Sequence, residues 1–244
     1  MKLQKLCSYT RRAIQDYNMI SEGDKIAIGV SGGKDSLTLL MALSSLQNFY
    51  PLSFEICAIS VDLGLPNMDF SPIRKLCEDL NVPYFVEETQ ISEIVFERRE
   101  EKNPCALCSN LRKGALNDLA REIGCNKVAY AHHKDDVIET MMLSLLYEGR
   151  FHSFAPVTEL SESDITLIRP LIYVSEAEVK GFAKRYELPV MVNTCPVDGA
   201  TKREEVHNIV SDLTRNIPDV KKRLFKSVTS SNIEGWYGDK IARY

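Results

Sequence analysis

The stretch "IGVSGGKDSLTLL", residues 28–40, sets the fold. An apolar run breaks at two glycines, and Lys34, Asp35 and Ser36 then lead into a second apolar run long enough for a helix. Gly32 and Gly33 can take positive φ and carry no side chains, so backbone N–H groups can close around an anion at the N-terminus of the following helix. Lys34 adds a positive charge. The pattern is neither the P-loop G-x-x-x-x-G-K-[ST] nor the dinucleotide turn G-x-G-x-x-G. Its bland alternative is a glycine-rich strand-to-helix turn with Asp35 and Ser36 as caps.

Around this turn, "KIAIGV", "FEICAISVD", "VPYFVEE" and "NKVAYAHH" are short β-type runs separated by stretches of helical character. Strands alternating with helices predict βαβ units and an α/β fold with a doubly wound, mostly parallel sheet. Such a sheet binds its ligand at the carboxyl ends of the strands, which here carry "SGGKDS", "VDLG" with Asp62, and "AHHKDD". Ahead of the sheet, Leu3, Leu6, Ala13, Ile14 and Tyr17 recur at helical spacing among basic residues, which predicts an amphipathic helix rather than a signal peptide. Past "LIRPL" the chain reads as helices joined by an extended "VMVNTCP". The expected organisation is an N-terminal helix over 1–22, an α/β domain over 23–172 and a C-terminal helical extension over 173–244.

The 244 residues carry 30 Lys+Arg against 34 Asp+Glu, a formal net charge of −4, so a nucleic-acid partner must meet a local basic patch. Arg11 with Arg12, and "KKRLFK" from Lys221 to Lys226, are the two candidates; each also reads as an ordinary solvated face. No run of 18 apolar residues occurs, and seven cysteines without a secretion signal point to a reducing compartment, so a cytoplasmic protein with no membrane partner is expected.

Asp135 and Asp136 open a helix whose predicted apolar face is Val137, Met141 and Leu145. Paired carboxylates there serve as caps, or hold Mg²⁺ against phosphate oxygens; Asp136, or else Asp135, is the candidate. His132 and His133 before them read as packed or hydrogen-bonded imidazoles. Cys105-Ala-Leu-Cys108 stands where a helix begins, so both sulfurs can face one side and the helix N-terminus favours the thiolates. A Cys-x-x-Cys alone is a redox dithiol, half a zinc site or part of an iron–sulfur site. Cys195 lies in a polar loop, whereas Cys57 and Cys77 fall in apolar patterns as core filler and Cys125 reads as structural.

"SGGKDS" in this setting resembles the PP-loop of the N-type ATP pyrophosphatases. Together with "CALC" and "LRKG", "AHHKDD", "IRPL" and "NTCP", in that order over roughly residues 10–215, the chain resembles the tRNA 2-thiocytidine synthetase family. The resemblance implies ATP cleavage between the α and β phosphates, adenylation of the carbon-2 oxygen of a tRNA cytidine, and its replacement by sulfur. Ser31, Gly32, Gly33, Lys34, Asp35 and Ser36 would hold the pyrophosphate portion of ATP, with Lys34 and Asp35 catalytic. Asp62 would approach the adenosine, and His132, Asp135, Asp136 and Arg169 would complete the nucleotide site with Mg²⁺ on Asp136. Cys105, Cys108 and Cys195 would hold a [4Fe-4S] cluster and serve catalysis. Implied partners are tRNA, a sulfur donor (a cysteine desulfurase or sulfide) and a second copy in a homodimer. Two other readings share the nucleotide site: a PP-loop ligase or amidotransferase, or a thiolase for another tRNA base or small substrate, with structural zinc on the cysteines; and a binding protein that holds ATP without adenylating anything.

Overall fold

Ile26, Ala27 and Ile28 are fully buried, as a strand covered on both faces requires, and they make β1 (Asp24–Gly29) the middle of the molecule. β1 pairs in parallel with β2 (Phe54–Asp62) and with β4 (Lys127–Ala129); β2 pairs in parallel with β3 (Tyr84–Glu88). β6 (Ile165–Ile168) runs parallel to β4 and carries β5 (Val157–Leu160) as an antiparallel edge, giving the order β3-β2-β1-β4-β6-β5. This computed structural model describes residues 1–66, 68–98, 104–160, 164–191, 195 and 202–230.

Helices cover both faces. On one side lie α1 (Leu3–Asp16), α2 (Lys34–Gln47), α3 (Ser71–Asp79), α6 (Lys134–Glu148), α7 (Glu176–Arg185), α8 (Lys202–Asn216) and α9 (Val220–Ser230). Leu6, Ile14, Leu40, Phe182, Val206 and Val228 belong to one cluster there, so the first helix and the last three share the core of the sheet. α7 packs on α2, while α8 and α9 pack on α6. On the other face, α4 (Ile91–Glu93) with a π-helical turn (Ile94–Arg98) and α5 (Pro104–Glu122) bury Val95, Leu116 and Ala120 against Ala27, Ile59 and Val128.

Two local expectations are corrected. The edge hairpin β5–β6 was not legible, because its four-residue strands carry too short a pattern to separate from loop. On α6, Val137 and Met141 are buried as expected, but Leu145 is 46% exposed; Ile138 and Met142 complete the buried face.

The strand order reverses between β1 and β4, so the loops that leave these strands, 30–33 and 130–133, border a crevice at the carboxyl edge. β3 leaves the sheet at that edge too, and α5, carrying the Cys-x-x-Cys in its first turn, descends from there toward the start of β4.

Candidate active site

The turn after β1 is built by its own side chains. Ser36 Oγ donates to the Gly33 carbonyl at 3.0 Å and accepts from the Ser31 N–H at 3.2 Å, drawing the chain into a ring over the start of α2. Gly33 is the N-cap, and among the described residues no side chain takes up the first amides of the helix, which leaves them to a ligand. Gly32 has φ +78°, and a Cβ there would stand 2.5 Å from the sulfur of Met191, whose N–H donates to the Gly32 carbonyl at 3.0 Å. Met191 thus roofs the turn. Lys34 Nζ lies 3.1 Å from Asp35 and 3.4 Å from Glu176 on α7; burial opposes its charge, but the two carboxylates outweigh burial and raise its pKa.

His133 caps α6: its Nδ1 accepts from the Asp136 N–H at 3.3 Å, and Asp136 Oδ2 accepts from the His133 N–H at 2.8 Å. His133 Nε2 is 3.7 Å from Asp35 Oδ1, a buried oxygen with no hydrogen-bond partner among the described residues. The histidine therefore sits between the carboxylates of Asp35 and Asp136. The neighbouring aspartates diverge. Asp135 accepts from Lys221 on α9 at 2.6 Å and from the Glu176 N–H at 2.8 Å; burial alone would raise its pKa, but Lys221 and that N–H hold it below the ordinary value. Asp136 faces the crevice with Arg203 at 3.3 Å, and burial pushes its pKa up. Asp62 ends β2, its Oδ1 taken by the Gly64 N–H at 2.9 Å.

Beyond β4 the site turns cationic. Arg169, 7% exposed, donates through Nη1 to Ala155 O at 2.6 Å and Thr158 Oγ1 at 3.0 Å, and lies 5.0 Å from the centre of the Phe154 ring. His132 stacks on the same ring at 4.8 Å; burial, then Arg169, Arg203 and Lys113, push its pKa down to about 3, so it is neutral. Lys113 on α5 is lowered by burial and by Arg169, Arg112 and Arg203. Burial also lowers Arg169 to about 10 and raises Tyr130 to about 12.

Cys105 is exposed and Cys108 half-buried at the start of α5. At Cys108 burial works against the thiolate: it raises the pKa, Arg112 lowers it, and the charges of Cys195 and Cys105 raise it further. Cys195, distant in sequence, thereby lies within electrostatic reach of Cys108. Among the described residues no three His, Cys, Asp or Glu side chains gather around one single-metal position. Cys7, Cys57, Cys77 and Cys125 are buried, the sulfurs of Cys57 and Cys125 lying 3.6 Å apart.

Arg12 lies 5.4 Å from the centre of the Tyr173 ring, and Phe225 of α9 meets the same ring edge-on. The two predicted basic patches therefore border one cleft, lined by Tyr9, Arg12, Lys134, Tyr173, Glu178 and Phe225. Lys221 is the exception within "KKRLFK", since it is engaged by Asp135. Sequence reasoning missed Glu176, Met191 and Arg203 altogether. It quoted Arg112 and Lys113 within "LRKG" without giving them work. Ser175 and Glu178 do carry a legible capping box, which announces where α7, and hence Glu176, begins.

The sequence profile of the PP-loop domain family matches residues 6–212. A tRNA-cytidine(32) 2-sulfurtransferase of Pelobacter propionicus is 37% identical over 222 residues, 90% of this chain and 82% of that protein. One from Geobacter sulfurreducens is 34% identical over 231 residues, 93% of this chain and 90% of its own. Among solved structures, the U34-tRNA thiolase NcsA from Methanococcus maripaludis with its [4Fe-4S] cluster superposes with a TM-score of 0.72 at 24% identity, over 90% of this chain and 76% of that one. At that identity the likeness is one of fold.

Proposed function

Since the chain belongs to the PP-loop domain family, in the branch of the tRNA-cytidine(32) 2-sulfurtransferases, we propose that it thiolates tRNA at the expense of ATP, converting a cytidine to 2-thiocytidine. The carrying observation is that the Ser31–Ser36 turn and the Cys105–Cys108 helix start leave the sheet at one edge, with Cys195 within electrostatic reach of Cys108. ATP lays its phosphates on the free amides at the start of α2. Lys34 then faces the charge that develops as pyrophosphate leaves. The cytidine O2 attacks the α-phosphorus, forming one O–P bond as the bond to the β-phosphate oxygen breaks. A sulfur nucleophile next forms a bond to carbon 2, and AMP departs with the original oxygen.

The donor sets fit the two implied inorganic groups. Asp136 and the unpartnered Asp35 Oδ1, on either side of His133, suit Mg²⁺, a hard cation that takes one or two carboxylates and completes its shell with phosphate oxygens and water. Three soft thiolates, Cys105, Cys108 and Cys195, suit a [4Fe-4S] cluster, whose ligands are spread over several irons and need not converge on one point. Such a cluster supplies a soft metal position for the incoming sulfur. Sulfide or a cysteine desulfurase is the donor, the reducing cytoplasm the setting. A homodimer is in keeping with Leu145, Leu146 and Phe151, all exposed around the end of α6.

The test incubates protein purified without air with total tRNA, ATP and sulfide, followed by nucleoside mass spectrometry. 2-Thiocytidine is the expected product. Thiouridine alone, or a colourless protein with stoichiometric zinc and no thiolated base, overturns the proposal.

A further inference from the structure

We infer that His132 and Arg169, rimmed by Arg112, Lys113 and Arg203, form a cradle for one backbone phosphate of the RNA substrate, an inference that rests on the tRNA-thiolation reading above. Its floor is rigid. Phe154 supports both His132, at 4.8 Å, and the Arg169 guanidinium, at 5.0 Å, while Ala155 O and Thr158 Oγ1 fix one arm of that guanidinium. Yet Arg169 Nε and His132 Nδ1 are buried and have no hydrogen-bond partner among the described residues. A buried orphan of this kind is costly, and two on groups that share one ring mark a place where something else completes the bonding.

The rim points to the sign of the missing group. Arg112 and Lys113 come from the middle of α5 and Arg203 from α8, and the charges of Arg169, Arg112 and Arg203 all bear on Lys113. Arg203 is paired with Asp136, but no carboxylate forms an ion pair with Arg112, Lys113 or Arg169 among the described residues. Like charges held together over a low-dielectric floor repel unless an anion lies among them. A guanidinium fork suits the oxygens of a phosphodiester.

This takes His132 and Arg169 away from the nucleotide, where the resemblance had put them. The phosphates of ATP have the turn after β1, whereas Arg169 follows β6, two strands further along the sheet, roughly 10 Å away at ordinary strand spacing and on the side opposite Asp62. The cradle lies instead between Asp136, which Arg203 touches, and Cys108, whose thiol feels Arg112. The reacting nucleotide must occupy that interval, and a diester flanks it.

The experiment uses a stem-loop RNA containing the target cytidine, with single neutral methylphosphonate linkages placed in turn along the loop. Wild-type protein is compared with the Arg112→Gln/Lys113→Gln double variant, both changes being on the exposed face of α5. For wild type, one linkage beside the cytidine is expected to weaken binding about tenfold. The variant should bind unmodified RNA about tenfold more weakly, show no further weakening at that linkage, and keep its ATP affinity within about twofold. Additive effects at every linkage, or a fall in ATP affinity in place of the RNA effect, overturn the cradle. Wild-type thiolation of the unmodified RNA is read in parallel: its absence with the linkage effect intact counts against the thiolation reading and leaves the cradle standing.

Discussion

The turn after β1 and the cationic floor beyond β4 both suit anions, but they are made in different ways. The turn is one hexapeptide, Ser31 to Ser36, tied by hydrogen bonds within itself. The floor draws His132 from the end of β4, Phe154 from the loop before β5 and Arg169 from the end of β6, with its rim on α5 and α8. A site made of neighbours in sequence is ready once its strand and helix form. A site made of strangers exists only when the whole sheet has closed, and its unsatisfied atoms are the trace of what it was built to meet.

The heaviest damage should come from the turn. Lys34→Ala should lower AMP and pyrophosphate release by roughly 10²–10³, the scale of removing one charged group at a developing anion, with any bound iron retained. Undiminished AMP release removes the phosphate role of residues 31–36. Next in size is the cysteine series. Any one of Cys105→Ala, Cys108→Ala or Cys195→Ala should lose most of the iron taken up in anaerobic reconstitution, whereas Cys7→Ala, Cys77→Ala and Cys125→Ala should keep it at a packing cost on the order of 1 kcal/mol. Full iron in Cys195→Ala shows that the third ligand lies elsewhere.

Asp135 and Asp136 set the same contrast within a single dipeptide. Asp135 is held below the ordinary carboxyl value, so its contribution to stability is present above about pH 4 and lost as pH falls through its folded value. Asp136 is raised, so its contribution has the opposite sign, present below about pH 4 and lost as pH rises through its folded value. Asp135→Asn should therefore cost about 1–3 kcal/mol near neutrality and flatten the acid limb of a melting-temperature profile. Asp136→Asn should be no less stable at neutrality while turnover collapses. Equal destabilisation of the two variants would put both aspartates in the same structural role.

The mildest effect concerns the cleft between α1 and α9. Charge reversal at Arg11, Lys222 and Arg223 should weaken tRNA binding and lower its salt dependence by about one unit of slope for each phosphate no longer neutralised, leaving ATP affinity alone. Titrations at several salt concentrations decide it; an unchanged slope moves the RNA to another surface.

What could be read ahead of the structure follows the same division. The strands β1 to β4, the phosphate turn and the start of α6 were legible because each rests on residues within a few positions of one another; that His133 would be the cap of α6 was not. The edge hairpin was not, because four residues carry too little pattern. Glu176 against Lys34, Lys221 against Asp135 and Arg203 against Asp136 were illegible for a different reason: each pair joins elements far apart in the chain, and nothing near either residue announces the partner. Leu145 misled because helical spacing identifies a stripe but not where its covering ends.

Gly32 and Met191 constrain each other. An alanine at 32 meets both the strain of positive φ, roughly 1 kcal/mol or more, and the Met191 side chain that closes over it. Trimming residue 191 relieves only the second of these. Gly32→Ala and Met191→Ala should accordingly show epistasis, the double variant recovering part of what the glycine change loses and never all of it. The roof over the turn can be cut back, but the glycine beneath it cannot be exchanged without strain.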